Sequence, residues 1–280
     1  MTSSDLPAAA AGTWQLGDLT INRMGFGSMR LTTDPDRGVA IQVLRRAVEL
    51  GVNHIDTAAF YGPALDLIRE ALSPYPEELV ITSKIGPGDS PERGFYNATT
   101  AAELRGQLDE NLRRLGVDHL DVVNLRIRND PGESLAERFH WLTEFRDAGL
   151  IRHLGISNVS PHHLDEASAI APVVCIQNRY SIETSRSDDA FIQVCAGRGV
   201  AYVPFFAIAG TTGEAAATTA VQAVAKSHGV SEQQIRLAWT LHQSPNVLAI
   251  PGTGNPAHLE QNIAAAAIML STEDLTLLNA

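Results

Sequence analysis

The chain has 280 residues, enough for one large domain or two small ones. Hydrophobic residues make up 44% and charged residues 19%, which argues against a disordered chain and is typical of a globular protein with a sizeable core. The formal net charge is -11 and no run of Lys or Arg occurs, which argues against a surface for nucleic acid or a membrane and favours small-molecule chemistry.

The first residues predict a flexible tail. Residues 1–12 have neither the basic region nor the long apolar region of a signal peptide, and no apolar run approaches the roughly 20 residues of a transmembrane helix. The two cysteines, Cys175 and Cys195, lie in apolar stretches, which predicts core packing in a reducing compartment without a disulfide framework. We therefore expect a cytoplasmic protein with residues 13–280 as one domain, and the oligomeric state stays open.

The folded part begins with a short hairpin and continues as alternating strands and helices. Residues 14–22 alternate apolar and polar side chains around Gly17-Asp18, which predicts an N-terminal β-hairpin. Eight β-rich runs follow as strand candidates: residues 23–28, 54–57, 79–85, 120–126, 153–157, 173–178, 200–205 and 247–250.

Helical segments separate these strands. Apolar residues recur every three or four positions in residues 39–50, 101–115, 135–148 and 234–243. Several helical stretches are followed by a glycine, as left-handed C-terminal caps require: Gly51, Gly116, Gly149, Gly199 and Gly229. The repeated strand–helix order predicts a parallel sheet, and eight units favour a closed (β/α)8 TIM barrel over an open doubly wound sheet.

Polar side chains cluster where the second and third predicted strands end, which is the edge where such barrels carry their active sites. Asp56 and Lys84 lie at these ends, and Tyr61 follows Asp56 closely. An ammonium group favours proton release from a neighbouring phenol, and a carboxylate balances the ammonium, so Tyr61 is predicted to be a general acid near neutral pH. The alternative is a structural Asp56–Lys84 ion pair with Tyr61 as a rim aromatic.

Five motifs occur in order along the chain: GVNHIDTAAFYG, ITSKIG, LGISN, IQNRYS, and IPGT followed by LEQN. Together they resemble the successive signatures of the aldo-keto reductase superfamily. The strings LDVVNLRIR and YVPFF are most similar to its bacterial pyridoxal reductase branch. The motifs run from Gly51 to Asn262, and with the barrel pattern the resemblance covers nearly the whole chain. It implies an NADPH-dependent enzyme that reduces an aldehyde or ketone, with pyridoxal as a candidate substrate and NADH as a second cofactor.

The resemblance also implies roles for individual residues. The three catalytic candidates match three of the four residues of the family's catalytic tetrad. Ser157, Asn158 and Gln177 match the residues that hold the nicotinamide carboxamide, a primary amide that needs both donors and acceptors. Phe205 matches an aromatic that stacks on the nicotinamide ring. From the residues alone, Ser157-Asn158 could also be a turn or helix cap, and Phe205 a core phenylalanine.

Residues 251–256 lead from the last predicted strand into a helix, with Asn255 as N-cap and backbone N–H groups suited to a phosphate. The resemblance aligns the family's lysine and arginine for the adenosine 2′-phosphate with Gly252 and His258. Thr253 and a partly charged His258 would still bind that phosphate, but fewer fixed charges predict weaker discrimination against NADH. Gly252→Lys is then predicted to sharpen the preference. Two further positions match residues that contact adenine: Gln261 and Asn262.

The fourth tetrad position, usually a histidine, corresponds here to Arg126 at the end of the fourth predicted strand. Alternation places Asn124 and Arg126 on one face, pointing into the barrel, while Val123 and Leu125 face the helices. Arg126 is predicted to donate to the carbonyl oxygen or to an anionic substrate group, and the alternative is a structural hydrogen-bond network. A planar guanidinium favours a substrate with an acceptor beside its carbonyl, as in pyridoxal.

Two other functions stay open on the sequence alone. Such a barrel could be a cofactor-binding redox sensor or regulatory subunit with little turnover, which the three catalytic candidates disfavour. It could also act on phosphorylated substrates without hydride transfer, which the carboxamide candidates disfavour. No His or Cys spacing predicts a metal site. The loops expected to wall the pocket, residues 86–100 and 207–217, carry no readable substrate preference.

Overall fold

The computed structural model describes residues 7–32, 36–90, 93–127, 133–184, 186–208 and 215–280, and it is an α/β structure. The strands within these ranges are β1 (Thr13–Leu16), β2 (Leu19–Asn22), β3 (Phe26–Gly27), β4 (His54–Asp56), β5 (Val80–Ile85), β6 (Pro87–Ser90), β7 (Gly94–Asn97), β8 (Leu120–Arg126), β9 (Ile151–Ser157), β10 (Val173–Gln177) and β11 (Ala201–Tyr202).

The α-helices of the described ranges are α1 (Arg37–Glu49), α2 (Ala64–Leu72), α3 (Ala101–Leu115), α4 (Ala136–Asp147), α5 (Pro161–Ile170), α6 (Asp189–Gly197), α7 (Ala215–His228), α8 (Glu232–His242), α9 (Pro256–Ala264) and α10 (Thr272–Leu278). Capping contacts at the two ends of α3 illustrate how such helices begin and end. In α3, the Thr100 hydroxyl accepts from the Glu103 N–H, and Gly116 ends the helix at a φ of 70°. Within the described part of the chain, no helix combines the length and apolarity needed to cross a membrane.

Seven parallel strands form the central sheet, in the order β3-β4-β5-β8-β9-β10-β11. Their register aligns the strand ends. Lys84 on β5 is opposite Asn124 on β8, Arg126 is opposite Ser157 on β9, and Ser157 is opposite Gln177 on β10. Because alternate residues of a strand share a face, this register gathers polar side chains at the carboxyl edge of the sheet.

A short segment after α8 lies between the two edge strands of this sheet. Parallel bridges join Val247 to Tyr202 on β11 and Ala249 to Met24 beside β3. Arg23 reinforces the junction, because its Nε donates to the carbonyl oxygen of Val247 at 3.1 Å. The first and last parts of the sheet therefore meet, and we call this junction the seam.

The sheet side chains divide between two apolar clusters. On β8, Val123 and Leu125 belong to the large cluster that includes the helices, whereas Val122 belongs to a smaller inner cluster. The inner cluster also contains Leu16 and Ile21 of the antiparallel β1–β2 hairpin. The hairpin therefore covers one end of the inner face, and polar side chains occupy the other.

The turn of this hairpin is tied to the start of β9. Asp18 accepts from Arg152 Nη2 at 2.6 Å, and its second oxygen lies 2.6 Å from His153 Nε2. These two neighbours hold the pKa of Asp18 well below its usual range. The pairs are exposed at the surface, so salt weakens them.

Five segments differ from the sequence predictions. Two predicted strands are shorter than expected, since residues 23–28 contain only Phe26–Gly27 and residues 200–205 only Ala201–Tyr202. Within the predicted tail, residues 7–11 form a 3-10 helix, because Ala8 is buried and its N–H donates to Leu50 O at 3.0 Å, while residues 1–6 lie outside the described ranges. The predicted loop 86–100 contains the antiparallel pair β6–β7. The predicted strand 247–250 forms isolated bridges only, since the following Pro251 has no N–H to extend the pairing. In the second predicted loop, residues 209–214 lie outside the described ranges.

Candidate active site

A cavity of about 440 Å³ opens at the carboxyl edge of the sheet. Four predicted site residues line it: Asp56, Tyr61, Phe205 and Gly252. The remaining walls come from β3 and the turn after it, residues 206–208, the loop before α9 and the start of α8. Its volume is within the range of sites for small molecules and cofactors. We call it the carboxyl-edge cavity.

Asp56 and Lys84 form a buried ion pair at this edge. Lys84 Nζ donates to Asp56 Oδ1 at 2.6 Å and to the carbonyl oxygen of Thr57 at 3.0 Å, and the two charged residues are only 3% and 2% exposed. Burial alone would lower the pKa of Lys84, but the Asp56 carboxylate and the nearby Tyr61 outweigh burial and raise that pKa above its ordinary value. Lys84 is therefore a cation at physiological pH.

Tyr61 lies beside this pair at the cavity wall. Lys84 Nζ is 4.9 Å from the centroid of the Tyr61 ring. Phe60 packs edge-on against Tyr61 with centroids 5.0 Å apart, and Phe95 of β7 packs in the same way against Phe60 at 6.0 Å. A cation and an aromatic side chain together restrict the orientation of the phenol.

Arg126 is half-buried at the end of β8 and contacts two other predicted residues. Its Nη1 donates to Ser157 Oγ at 3.1 Å, and its guanidinium carbon lies 4.9 Å from the centroid of the Phe205 ring. Burial lowers the pKa of Arg126, but arginine starts so high that the group stays charged. The buried Asn124 bonds elsewhere, since its Oδ1 accepts from Cys175 Sγ at 3.3 Å. Arg126 and Asn124 thus make separate contacts and not one shared network.

Ser157, Asn158 and Gln177 lie side by side at the ends of β9 and β10. Gln177 Nε2 donates to Asp56 Oδ2 at 2.7 Å, while its Oε1 is buried without a hydrogen-bond partner. Asn158 has a φ of 61°, and its N–H donates to the backbone carbonyl of Gln177 at 2.9 Å. A buried acceptor without a donor is unfavourable until a ligand supplies one. An amide N–H of the nicotinamide carboxamide is such a donor, so these residues fit that cofactor.

The loop before α9 lines the cavity through Gly252. A Cβ on Gly252 would lie 2.2 Å from the carbonyl oxygen of Gly27, so this position has no room for a side chain. The buried Thr253 accepts from the Asn255 N–H through Oγ1 at 3.0 Å, and Asn255 caps α9 by accepting from Ala257 N–H. The remaining predicted residues lie on α9 outside the cavity lining: His258 and Gln261, which are exposed, and Asn262, which is buried.

Several residues that the sequence did not single out also line the cavity, and two of them are arginines. Arg30 follows β3, Arg236 lies on α8, and Phe206 follows Phe205 with a φ of 64°. Arg30 and Phe206 follow strands of the sheet, so the strand-end argument applied to Asp56 could have found them. Nothing in the sequence marks Arg236, because its buried ion pair with Glu183 joins two separate segments.

Comparisons with known proteins point to one protein family. The family model "Aldo/keto reductase family" matches residues 23–280. Over 283 residues the chain is 44% identical to a pyridoxine 4-dehydrogenase of Escherichia coli K12, covering 96% of this chain and 98% of that protein. An uncharacterized oxidoreductase of Schizosaccharomyces pombe is 38% identical over 279 residues, covering 97% and 90%.

Solved structures give the same result. A thermostable aldo-keto reductase in complex with the inhibitor epalrestat matches with a TM-score of 0.82 at 31% identity, covering 95% of this chain and 98% of that one. An aldo/keto reductase from Klebsiella pneumoniae in complex with NADP and acetate matches with a TM-score of 0.79 at 24% identity, covering 92% and 90%. The chain belongs to the aldo/keto reductase family and is therefore an oxidoreductase that acts on carbonyl compounds.

Proposed function

We propose that this chain reduces the aldehyde of a pyridoxal-like compound to the alcohol, with NADPH as cofactor. The buried Asp56–Lys84 pair beside Tyr61 at the cavity wall is the observation that carries the proposal. The 44% identity to a pyridoxine 4-dehydrogenase supports the substrate class. NADPH, when bound, supplies the hydride that reaches the carbonyl carbon.

Tyr61 donates a proton to the substrate oxygen while charge develops on it. Lys84 remains cationic in its buried position and stabilises the phenolate left on Tyr61, and Asp56 fixes the ammonium group 2.6 Å away. Arg126 adds a second fixed positive charge for the carbonyl oxygen or for an acceptor beside it. In pyridoxal the phenolic oxygen ortho to the aldehyde is such an acceptor.

The chain's own side chains orient the cofactor. Gln177 accepts from the carboxamide N–H through its unpartnered Oε1, and Ser157 and Asn158 complete the amide site. Phe205, held under Arg126, presents its ring to the nicotinamide. At the adenosine end, the 2′-phosphate lies near Gly252, Thr253 and His258. Adenine contacts Gln261 and Asn262.

We also propose that residues 13–280 form one domain whose sheet closes at the seam into a (β/α)8 barrel. The bridges from Val247 to Tyr202 and from Ala249 to Met24 support closure. We further propose a cytoplasmic location, which two free cysteines suit. Burial raises the pKa of both Cys175 and Cys195 to about 12 and so disfavours the reactive thiolate.

The test is NADPH oxidation with pyridoxal and with a simple aliphatic aldehyde, in the wild type, Tyr61→Phe and the control Tyr96→Phe. Tyr96 also lines a cavity but packs under Arg93 on the β6–β7 pair. We expect Tyr61→Phe to lose most turnover while keeping NADPH affinity, since the phenol acts on the substrate. Wild-type kcat in Tyr61→Phe would show that the proposed acid is wrong. NADPH binding without turnover in the wild type would favour the redox-sensor alternative.

A further inference from the structure

The backbone of Gly27 leaves no room for any residue other than glycine at position 252. A Cβ there would lie 2.2 Å from the Gly27 carbonyl oxygen and 3.2 Å from the Gly27 carbonyl carbon. These are backbone atoms of β3, so they have no rotamer by which to yield. A basic side chain therefore has no place at 252 while the seam keeps this close approach.

An arginine from another element occupies the adjacent space. Arg30 Cγ lies 3.6 Å from the position of that Cβ. Arg30 belongs to the 3-10 turn Ser28–Thr32 directly after β3, and its exposed side chain lines the carboxyl-edge cavity together with Gly252. The side chain of Arg30 thus starts beside the point where a side chain of residue 252 would start.

Arg236, a second arginine of the cavity lining, is held in place by carboxylates of the protein. Arg236 is buried, forms an ion pair with Glu183 through Nε and lies 3.3 Å from Glu232 through Nη1. Asp56, also in the lining, is matched by Lys84. A dinucleotide carries several negative charges and this chain has a net charge of -11, so a cation at the cavity wall favours binding of the dinucleotide.

We propose that Arg30 binds a phosphate of the dinucleotide cofactor and takes over, from the turn after the first strand of the sheet, the charge missing at position 252. The inference rests on the proposed function only in requiring a nicotinamide dinucleotide. A guanidinium can donate two hydrogen bonds to one phosphate, which provides affinity with fixed geometry. The phosphate is either the 2′-phosphate of the adenosine ribose or the pyrophosphate.

The experiment measures dissociation constants of NADPH and NADH by calorimetry and nucleotide fluorescence, without any substrate. The variants are Arg30→Gln, Arg30→Lys and the control Arg198→Gln. The control also removes an exposed arginine, one paired with Asp165 away from the cavity. Thermal unfolding of each variant checks that the fold is intact.

We expect Arg30→Gln to weaken NADPH binding about tenfold to hundredfold, the range of one charged hydrogen bond. Arg30→Lys should recover part of this loss and Arg198→Gln should show none. A loss confined to NADPH identifies the 2′-phosphate, and an equal loss for NADH identifies the pyrophosphate. Unchanged affinities for both nucleotides in Arg30→Gln would overturn the inference and leave the proposed function intact. A wild-type chain that binds neither nucleotide would overturn both.

Discussion

Breaking the buried pair between Asp56 and Lys84 from one side should destabilise the protein more than removing both charges. Asp56 uses both oxygens, one toward Lys84 Nζ at 2.6 Å and one toward Gln177 Nε2 at 2.7 Å. Asp56→Asn leaves an ammonium buried without a counter-charge, and Lys84→Met leaves a buried carboxylate with only an amide donor. The double variant contains neither charge.

The expected magnitudes follow from burial. Removing one partner of a buried ion pair costs about 3–5 kcal/mol, so each single variant should lose that much free energy of unfolding. The double variant loses the two hydrogen bonds of the Lys84 ammonium, while the amide oxygen introduced at position 56 can still accept from Gln177 Nε2. The double variant should therefore lose only about 1–3 kcal/mol. The double variant is therefore expected to be more stable than either single variant.

The pH dependence of stability is a second, independent test of the buried ion pair. In the wild type the pKa of Lys84 is raised: burial would lower it, but Asp56 and Tyr61 outweigh burial. Its stabilising contribution is thus present below the unfolded pKa of about 10.4 and is lost as pH rises through the folded value. In Asp56→Asn, burial acts without the carboxylate, so the folded pKa falls. The folded state then binds fewer protons than the unfolded state, and stability rises with pH.

Urea unfolding of the four proteins at several pH values between 7 and 10 measures both effects. We expect the stability gap between wild type and Asp56→Asn to narrow as pH rises toward 10. Single-variant losses that simply add in the double variant would refute the coupling. A gap that stays constant over this pH range would refute the buried, uncompensated ammonium.

Three further outcomes are expected. Arg126→His should keep activity on simple aldehydes but lose about 1.5–3 kcal/mol of transition-state stabilisation on pyridoxal-like ones, as kcat/KM for both classes would show, and equal losses would contradict the proposed acceptor contact. Gly252→Lys should not sharpen the preference for NADPH but lower the free energy of unfolding by about 1–3 kcal/mol, because its Cβ would collide with Gly27 O. For Asp18→Asn, the Tm difference from wild type should shrink as pH falls below about 4, because the low pKa of Asp18 means that its contribution is present above the unfolded pKa and lost in acid. A difference independent of pH would show that the contacts of Asp18 with Arg152 and His153 do not stabilise the protein through charge.

Strand periodicity made part of the site predictable. On β8 the sequence alone placed Asn124 and Arg126 opposite to Val123 and Leu125, and the two apolar clusters agree with this division. An extended backbone points successive side chains to opposite faces whatever surrounds it. The face on which a strand side chain lies can therefore be predicted without knowing the tertiary contacts. The positions of Asp56 and Lys84 at strand ends follow from the same local geometry.

Contacts between distant segments were not predictable. Position 252 reads as a lost basic residue in the sequence, whereas the structure shows that the carbonyl of Gly27 excludes any side chain there. The ion pair of Arg236 with Glu183 likewise depends on how α8 packs against the segment after β10. The β6–β7 pair was not predictable because Pro87 and Gly88 interrupt the alternation of apolar and polar residues that identifies strands.

The seam also determines when a newly synthesised chain can complete its fold. Arg23 and Val247 are 224 positions apart, so β3 and β11 keep open edges until Val247 has left the ribosome. Open edges of parallel strands can pair with other chains, and such long-range closure is slow. A chain truncated before Val247 should therefore aggregate and not persist as a smaller active enzyme. Weakening Arg23 should reduce the yield of soluble protein before it affects the chemistry.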